Sequence, residues 1–273
     1  MAQFITDRPM EIYSSSGVCL TSLQALKICY SNILAGLHQK AVCVASEFIS
    51  PTLVSRFYDP EYEETQDNPD KDPYMAFEKD FLRFMLSDGA GAVFVQDHPV
   101  GGSSLKIEWI EMTSYANELP TCMFMGAELT ADGRMRSWKE FTPEEIKTRG
   151  TILLKQDIRQ LKKYIIKYWV NHIEEVLDKH NIKAEEVSYV IPHVSSMFFY
   201  EKLNDEISTR GIALTKEKWF TNLTSVGNIG SAAIYVALDE LMKTKNLNQG
   251  EKILLLVPES GRFSYGTVLL RIV

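Results

Sequence analysis

No run of apolar residues in this 273-residue chain approaches the ~18 that a membrane-crossing helix needs, and the first ten residues, MAQFITDRPM, are too polar for a signal peptide. A membrane span and an export signal are therefore not expected, and a cytoplasmic setting is. Cysteine is scarce. The four present, Cys19, Cys29, Cys43 and Cys122, show no CxxC, no histidine-paired zinc spacing and no disulfide-like density. Free thiols in a reducing compartment follow, and no metal is expected. An excess of positive charge is also missing: 29 Lys and Arg stand against 36 Asp and Glu, a net charge of −7, which argues against bulk nucleic-acid binding. What remains is ordinary soluble composition, 45% hydrophobic and 24% charged, on a chain long enough to bury a sizeable core.

Short strands alternate with helices along the chain, which predicts an α/β layered fold with right-handed crossovers. Pro9 to Tyr13 reads as the end of a strand, followed by the small-residue run Ser14 to Gly17 and a helix from Cys19 that buries Leu23, Leu26, Ile28 or Cys29, and Ile33 before stopping at Gly36. Ala41 to Ser46 reads as a strand covered on both faces, Pro51 to Lys79 as an exposed acidic excursion, and Ser87 to Ala92 as a tightly packed turn into strand Val93 to Val95. A strand at Leu105 to Met112 precedes an irregular stretch and a long amphipathic helix from Thr151 to His180, striped by Leu154, Ile158, Leu161, Ile165, Tyr168, His172 and Val176. A strand at Val187 to Ile191 then leads to Pro192-His193, a helix at Ser195 to Arg210, a helix after Asn228 that ends near Thr244, a strand at Lys252 to Val257 and a last strand at Phe263 to Val273.

Two features stand out. Cys19 falls at the start of a helix, where unsatisfied N–H groups and the helix dipole favour a thiolate, although a buried structural cysteine is the plainer alternative. The order of helix, strand, small-residue turn and strand also recurs in residues 1–103 and 104–273, as if half of the fold were duplicated. The second copy has a long helix, a strand and another helix ahead of its matching helix. The first has only 18 residues there, so an N-terminal portion of it is expected to be missing.

Cys19 with ALKICYSNILAG, the LSDGAGAV turn, Val190-Ile191-Pro192-His193, Val226-Gly227-Asn228 with SAAIYVALDE, and the closing SGRFSYGTVLLRIV occur in the order found in β-ketoacyl-acyl-carrier-protein synthase III. The chain resembles that family of the thiolase superfamily from about Pro9 to Val273. The resemblance implies a thiolase-like α-β-α-β-α fold from two halves, the first incomplete. It also implies a nucleophile at Cys19, an active-site histidine at His193, an asparagine at Asn228 and an oxyanion glycine at Gly261. No cofactor is implied. The partners implied are acyl-CoA or acyl carrier protein as thioester donors, and a homodimer or a heterodimer with a related subunit, joined through Ala41 to Ser46.

The residue types suit the chemistry. A thiolate can take an acyl group from a thioester, and two neutral donors can hold a malonyl carbonyl as its carboxylate leaves, which requires His193 to be uncharged. Leu20 and Thr21 replace the small residue and glycine usual after the cysteine, which predicts an altered acyl pocket. Glu259 and Arg262 add charge beside Gly261. Phe198, Asp205 and Glu206 replace basic docking residues, leaving Lys202, Arg210, Lys216 or Lys218 for carrier-protein docking. A specialised condensing enzyme is favoured over the housekeeping initiator of fatty-acid synthesis. A non-condensing acyltransferase and a non-catalytic subunit of a heteromer are the alternatives.

Overall fold

The computed structural model describes residue 7 and residues 9–55, 82–101, 104–130 and 132–273. Most of the excursion expected at Pro51 to Lys79 lies outside the described residues. At the centre is a four-stranded sheet of β3 (Leu105–Ser114), β10 (Ser264–Ile272), β9 (Lys252–Glu259) and β8 (Tyr189–Pro192), in that spatial order. β8 runs parallel to β9, and β10 is antiparallel to both of its neighbours.

β9 and β10 read as unbroken apolar runs because helices cover both faces of this sheet. Ile253, Leu255, Val257, Val268 and Leu270 join one core cluster, while Leu254, Leu256, Tyr265 and Leu269 join another on the opposite face. The first cluster is completed by α1 (Thr21–Leu34) and α6 (Ala233–Thr244). The second is completed by α3 (Ile158–Lys179) and α4 (Met197–Thr209). Beyond α1 and α6 lies a two-stranded antiparallel sheet, β1 (Lys40–Glu47) with β2 (Gly89–Gln96). The described residues thus build four of the five layers implied: α3/α4, the central sheet, α1/α6, and β1–β2.

Two glycines let β2 approach α6. A Cβ on Gly89 would lie 2.8 Å from Ile229 Cβ, and one on Gly91 would lie 3.0 Å from Tyr235 Cβ. The expected turn at Ser87 to Ala92 is therefore strand from Gly89 onward. Smaller elements lie between β3 and α3: β4 (Met123–Phe124) pairs with β7 (Lys155–Gln156), β5 (Ala127–Leu129) pairs with β6 (Met135–Ser137), and α2 (Pro143–Thr148) carries a Thr142/Glu145 capping box. A further short helix, α5 (Leu223–Val226), precedes Gly227.

Four expectations need correction. Residues 9–13 are exposed and form no strand. The long helix starts at Ile158, because the Asp157 side chain accepts from the Gln160 N–H at 3.0 Å and caps it there, leaving Leu154 outside. Its buried face runs through Trp169 rather than Tyr168. β1 is covered on one face only: Cys43 and Ala45 are buried, whereas Val42 and Ser46 are exposed. Gly36, with φ +70°, ends α1 in the left-handed conformation expected of a stop glycine.

Candidate functional site

Cys19, His193 and Asn228, which are far apart in sequence, line one cavity of about 710 Å³. Its walls are mainly apolar, with Leu154, Leu161, Ile165 and Trp169 on one side and Met85, Leu86 and Ile49 on another. Exposed Met125, Trp138 and Ile152 also belong to the lining, so the entrance has an apolar rim.

Each candidate is positioned by a recognisable local device. Cys19 precedes Leu20, which occupies the N-cap position of α1, and the next residue's N–H bonds back to Val18 O at 3.1 Å. Leu20 is buried against β10, where Gly266 leaves a notch; a Cβ there would sit 2.4 Å from Leu20 Cδ1. The leucine expected to reshape the pocket therefore packs into the core and does not line the cavity.

His193 follows β8 directly, its N–H bonded to Leu256 O at 2.8 Å. Asn228 follows Gly227, whose φ of +81° only glycine adopts without strain and on which a Cβ would fall 2.7 Å from Ser87 Oγ. The Ser87 N–H in turn donates to Asn228 O at 2.9 Å, so the LSDGAGAV segment latches the asparagine loop. The Asn228 side-chain oxygen accepts from Gly230 N at 3.1 Å.

Gly261 is not in the cavity wall, although its neighbour Ser260 is. Its carbonyl accepts from Cys122 N at 3.1 Å, and a Cβ would meet Val18 Cγ2 at 3.3 Å, so it backs the turn that carries Cys19. Phe263, two residues on, holds a φ of +45° while fully buried. Strain of that kind in a non-glycine residue persists only where surrounding contacts impose it.

The electrostatics differ from the expected helix-end thiolate. Burial first, then the carboxylates of Glu259 and Glu47, push the Cys19 thiol up to about 12. The helix terminus does not offset two nearby negative charges and the loss of water. His193 is held down to about 4 by burial, so it is neutral near pH 7, and its Nε2 is buried without a partner. That state is the one required of a neutral donor.

Glu47 and Glu259 are the site residues that the sequence reading missed or undervalued. Glu47 lines the cavity from the end of β1. Its Oε1 accepts from Ser231 N at 2.9 Å and Ser231 Oγ at 2.6 Å, at the turn that enters α6. Gly230, with φ +52°, makes room for it, since a Cβ would fall 2.7 Å from the Glu47 carboxyl carbon. Glu259 is completely buried; its Oε1 accepts from Arg262 Nε at 3.1 Å and Nη2 at 3.0 Å, while Oε2 has no partner. A strand-end glutamate followed by Ser-Gly-Arg gave a signal only as charge near Gly261.

Three of the four bases considered for docking are engaged within the chain. Arg210 pairs with Glu174 and Glu206, Lys216 with Glu201, and Lys218 donates to Ala184 O at 2.9 Å. Among the described residues no group of three His, Cys, Asp or Glu side chains could hold a metal ion, and no helix is long and apolar enough to cross a membrane.

Residues 177–272 match the family described as 3-oxoacyl-[acyl-carrier-protein] synthase III, C terminal. A β-ketoacyl-[acyl-carrier-protein] synthase III from Clostridium perfringens is 24% identical over 260 residues, covering 95% of this chain and 68% of the relative. Among solved structures, 3-oxoacyl-(acyl carrier protein) synthase III from Pseudomonas aeruginosa aligns with a TM-score of 0.64 and 19% identity over 94% of this chain and 66% of that one. A tetronic acid condensing enzyme aligns with a TM-score of 0.66 and 18% identity over 94% and 67%. The fold is thus of the thiolase type. Residues 177–272 match the C-terminal part of synthase III, the chain as a whole is similar to synthase III proteins, and it spans about two thirds of the length of these relatives.

Proposed function

We propose that this chain is an acyltransferase of the synthase III type that loads an acyl group onto Cys19 and condenses it onto a malonyl thioester with loss of carbon dioxide, or onto a β-ketoacyl thioester with loss of a proton from the carbon between its carbonyls. The observation that carries the reading is the convergence of Cys19, His193 and Asn228 on one apolar cavity. The Cys19 sulfur attacks the thioester carbonyl, the C–S bond of the donor breaks, and the thiol proton ends on the departing thiol. In the second step carbon dioxide leaves and negative charge builds on the malonyl thioester oxygen. Neutral His193 and Asn228 face that oxygen as donors, with no charged imidazolium to disturb the balance. The resulting carbanion attacks the acyl-enzyme and releases a β-ketoacyl thioester. Acyl-CoA and acyl carrier protein are the donors this reading takes, in fatty-acid-like or secondary metabolism.

The test is intact-mass measurement after mixing the chain with a panel of acyl thioesters, followed by peptide mapping. The acyl group is expected on Cys19, with Cys29→Ala and Cys43→Ala unchanged and Cys19→Ala silent. Acylation elsewhere, or none with any thioester, sinks the reading. The raised Cys19 thiol favours one alternative, a synthase-like subunit that contributes structure to a heteromer and stays unacylated in the same experiment.

A further inference from the structure

The turn that carries Asn228 belongs to the C-terminal half, but the N-terminal half grips it at successive residues. The Ser87 N–H donates to Asn228 O at 2.9 Å. Gly89, which pairs with Glu47 at the end of the β1–β2 ladder, lies so close to Ile229 that a Cβ on it would fall 2.8 Å from Ile229 Cβ. Glu47 takes the next two residues. A Cβ on Gly230 would fall 2.7 Å from the Glu47 carboxyl carbon, and Glu47 Oε1 accepts from Ser231 N at 2.9 Å and Ser231 Oγ at 2.6 Å.

This carboxylate caps the turn from a distant part of the chain. Ile229, at the N-cap of the single 3₁₀ turn Gly230–Ala232 that runs into α6, offers no side-chain acceptor to the open N–H groups, and Glu47 supplies one. Gly230 holds a φ of +52°, a conformation that glycine enters and leaves freely, so contacts from outside the turn must keep it there. The direction of the Gly230 N–H matters because the Asn228 side chain hangs on it: that N–H donates to Asn228 Oδ1 at 3.1 Å. An N–H can meet only the oxygen of a carboxamide, so this bond fixes which way round the amide sits and leaves its nitrogen to donate elsewhere. Asn228 is 2% exposed and lines the cavity with Cys19 and His193, and among the described residues no acceptor takes that nitrogen.

We propose that Glu47 is a positioning residue for the condensation step: by holding Gly230 and Ser231 in place it turns the Asn228 amide so that its nitrogen donates toward the malonyl thioester oxygen. The inference rests on the donor role given to Asn228 under the proposed function. It makes the half that supplies the nucleophile also set the orientation of a donor in the other half. What the role needs from Glu47 is an acceptor oxygen at the head of the turn, not a negative charge, and that distinction can be tested.

The Asn228 side-chain amide signal in the NMR spectrum of the full chain, made with isotope-labelled asparagine and assigned by its loss in Asn228→Ala, reads the orientation without substrate. It is expected to shift in Glu47→Ala and to stay close to its original position in Glu47→Gln, whose carbonyl oxygen still accepts from Ser231. Carbon dioxide release from malonyl-CoA should fall by ~10² in Glu47→Ala, the scale of a small misplacement of a reacting group, and be largely restored in Glu47→Gln. Adding Glu47→Ala to Asn228→Ala should cost nothing further, because both act through one group. Both Glu47 variants remove a charge that disfavours the Cys19 thiolate, so the loss falls on carbon dioxide release and not on acyl loading. Ser231→Ala, which removes one of the two bonds to Glu47, should shift the signal the same way by less, and it takes the place of Glu47→Ala if that variant does not fold. A signal that stays put in the folded variant, a Glu47→Gln chain as slow as Glu47→Ala, or a further loss on the Asn228→Ala background overturns the inference. A signal that responds as expected in a chain that releases no carbon dioxide from malonyl-CoA would uphold the hold of Glu47 on Asn228 and sink the proposed function.

Discussion

β10 and β2 have similarly apolar sequences and opposite fates. Of the nine residues of β10 all but Arg271 are buried, whereas no residue of β2 is. β10 has a strand on each side and helices over both faces; among the described residues β2 has one neighbour, β1, and helices over one face. Apolarity alone does not say how many faces a strand will find covered; its neighbours decide that. The same asymmetry runs into the site. The C-terminal half sets His193 at the end of β8, in a sheet covered on both faces, and Asn228 in the turn that leads to α6. The N-terminal half sets Cys19 just ahead of a helix that leans on the other half, through Leu20 in the Gly266 notch.

If the halves also divide the chemistry, substitutions should separate it into steps. Cys19→Ala is expected to abolish acyl-enzyme formation outright. His193→Ala and Asn228→Ala should leave self-acylation largely intact while slowing release of carbon dioxide from a malonyl thioester by ~10²–10³, the usual loss for a donor to a developing oxyanion. Single-turnover acylation measured beside carbon dioxide release distinguishes the two. Loss of acylation in the C-terminal variants would mean that the division by halves is false.

The better-buried half should also be the acid-sensitive one. Burial holds both His172 and His193 down to about 4, against about 6.5 for the ordinary group. The unfolded chain binds protons on these residues where the folded chain does not, so their contribution is complete above about pH 6.5 and is lost as pH falls toward about 4. The loss is on the order of 3 kcal/mol for each histidine at most. Urea denaturation across that window should show falling stability, and His172→Phe should flatten the fall. His172 has no hydrogen-bond partner at either ring nitrogen, so the substitution strands no buried group. An unchanged slope in that variant would show that His172 is already protonated in the folded chain.

Much of this arrangement was legible in the sequence. The central strands, the stripe of the long helix and the glycine stops carry strong local signals, and the five ordered segments brought Cys19, His193 and Asn228 together before any coordinates did. What escaped was decided by contacts from elsewhere. Leu154 continues the helical period, but Asp157 caps the helix after it, and Leu154 faces the cavity instead. AVCVAS has no polar alternation to reveal a bare face. Glu47 sits at a strand end like any surface glutamate, and only Gly230 and Ser231, some 184 residues on, make it a half-buried acceptor.

A smaller effect sharpens the electrostatic side of the comparison. The Glu259 carboxylate disfavours a thiolate at Cys19, as any like charge nearby does. Glu259→Gln keeps the shape and removes the charge, so the pH midpoint of Cys19 alkylation by iodoacetamide should move down by about one unit. Glu47→Gln should move it less, because Glu259 acts more strongly than Glu47 on this thiol. A midpoint that stays put in Glu259→Gln would leave burial and Glu47 as the causes.

The smallest effect concerns the bare face of the N-terminal sheet. Val42 lies opposite Phe94 and Val44 opposite Ala92, and on this outer side Val42 is 40% and Phe94 60% exposed. Among the described residues no further strand pairs with either edge of this sheet, and an apolar face beside open edges promotes association. Self-association through β1 and β2 is therefore expected of the chain as given, in keeping with the dimer contact anticipated at Ala41 to Ser46. Phe94→Ser should weaken it by about 1–2 kcal/mol, the order expected for part of a phenylalanine's burial. Thermal stability of the separated chain should hardly change, because Phe94 contributes little to the interior. Light scattering over a range of concentrations reads the first quantity and a melting curve the second. If the unsubstituted chain stays monomeric throughout, the bare face is tolerated by solvent alone. If Phe94→Ser instead lowers the melting temperature without changing the mass, Phe94 belongs to the fold rather than to a contact between copies.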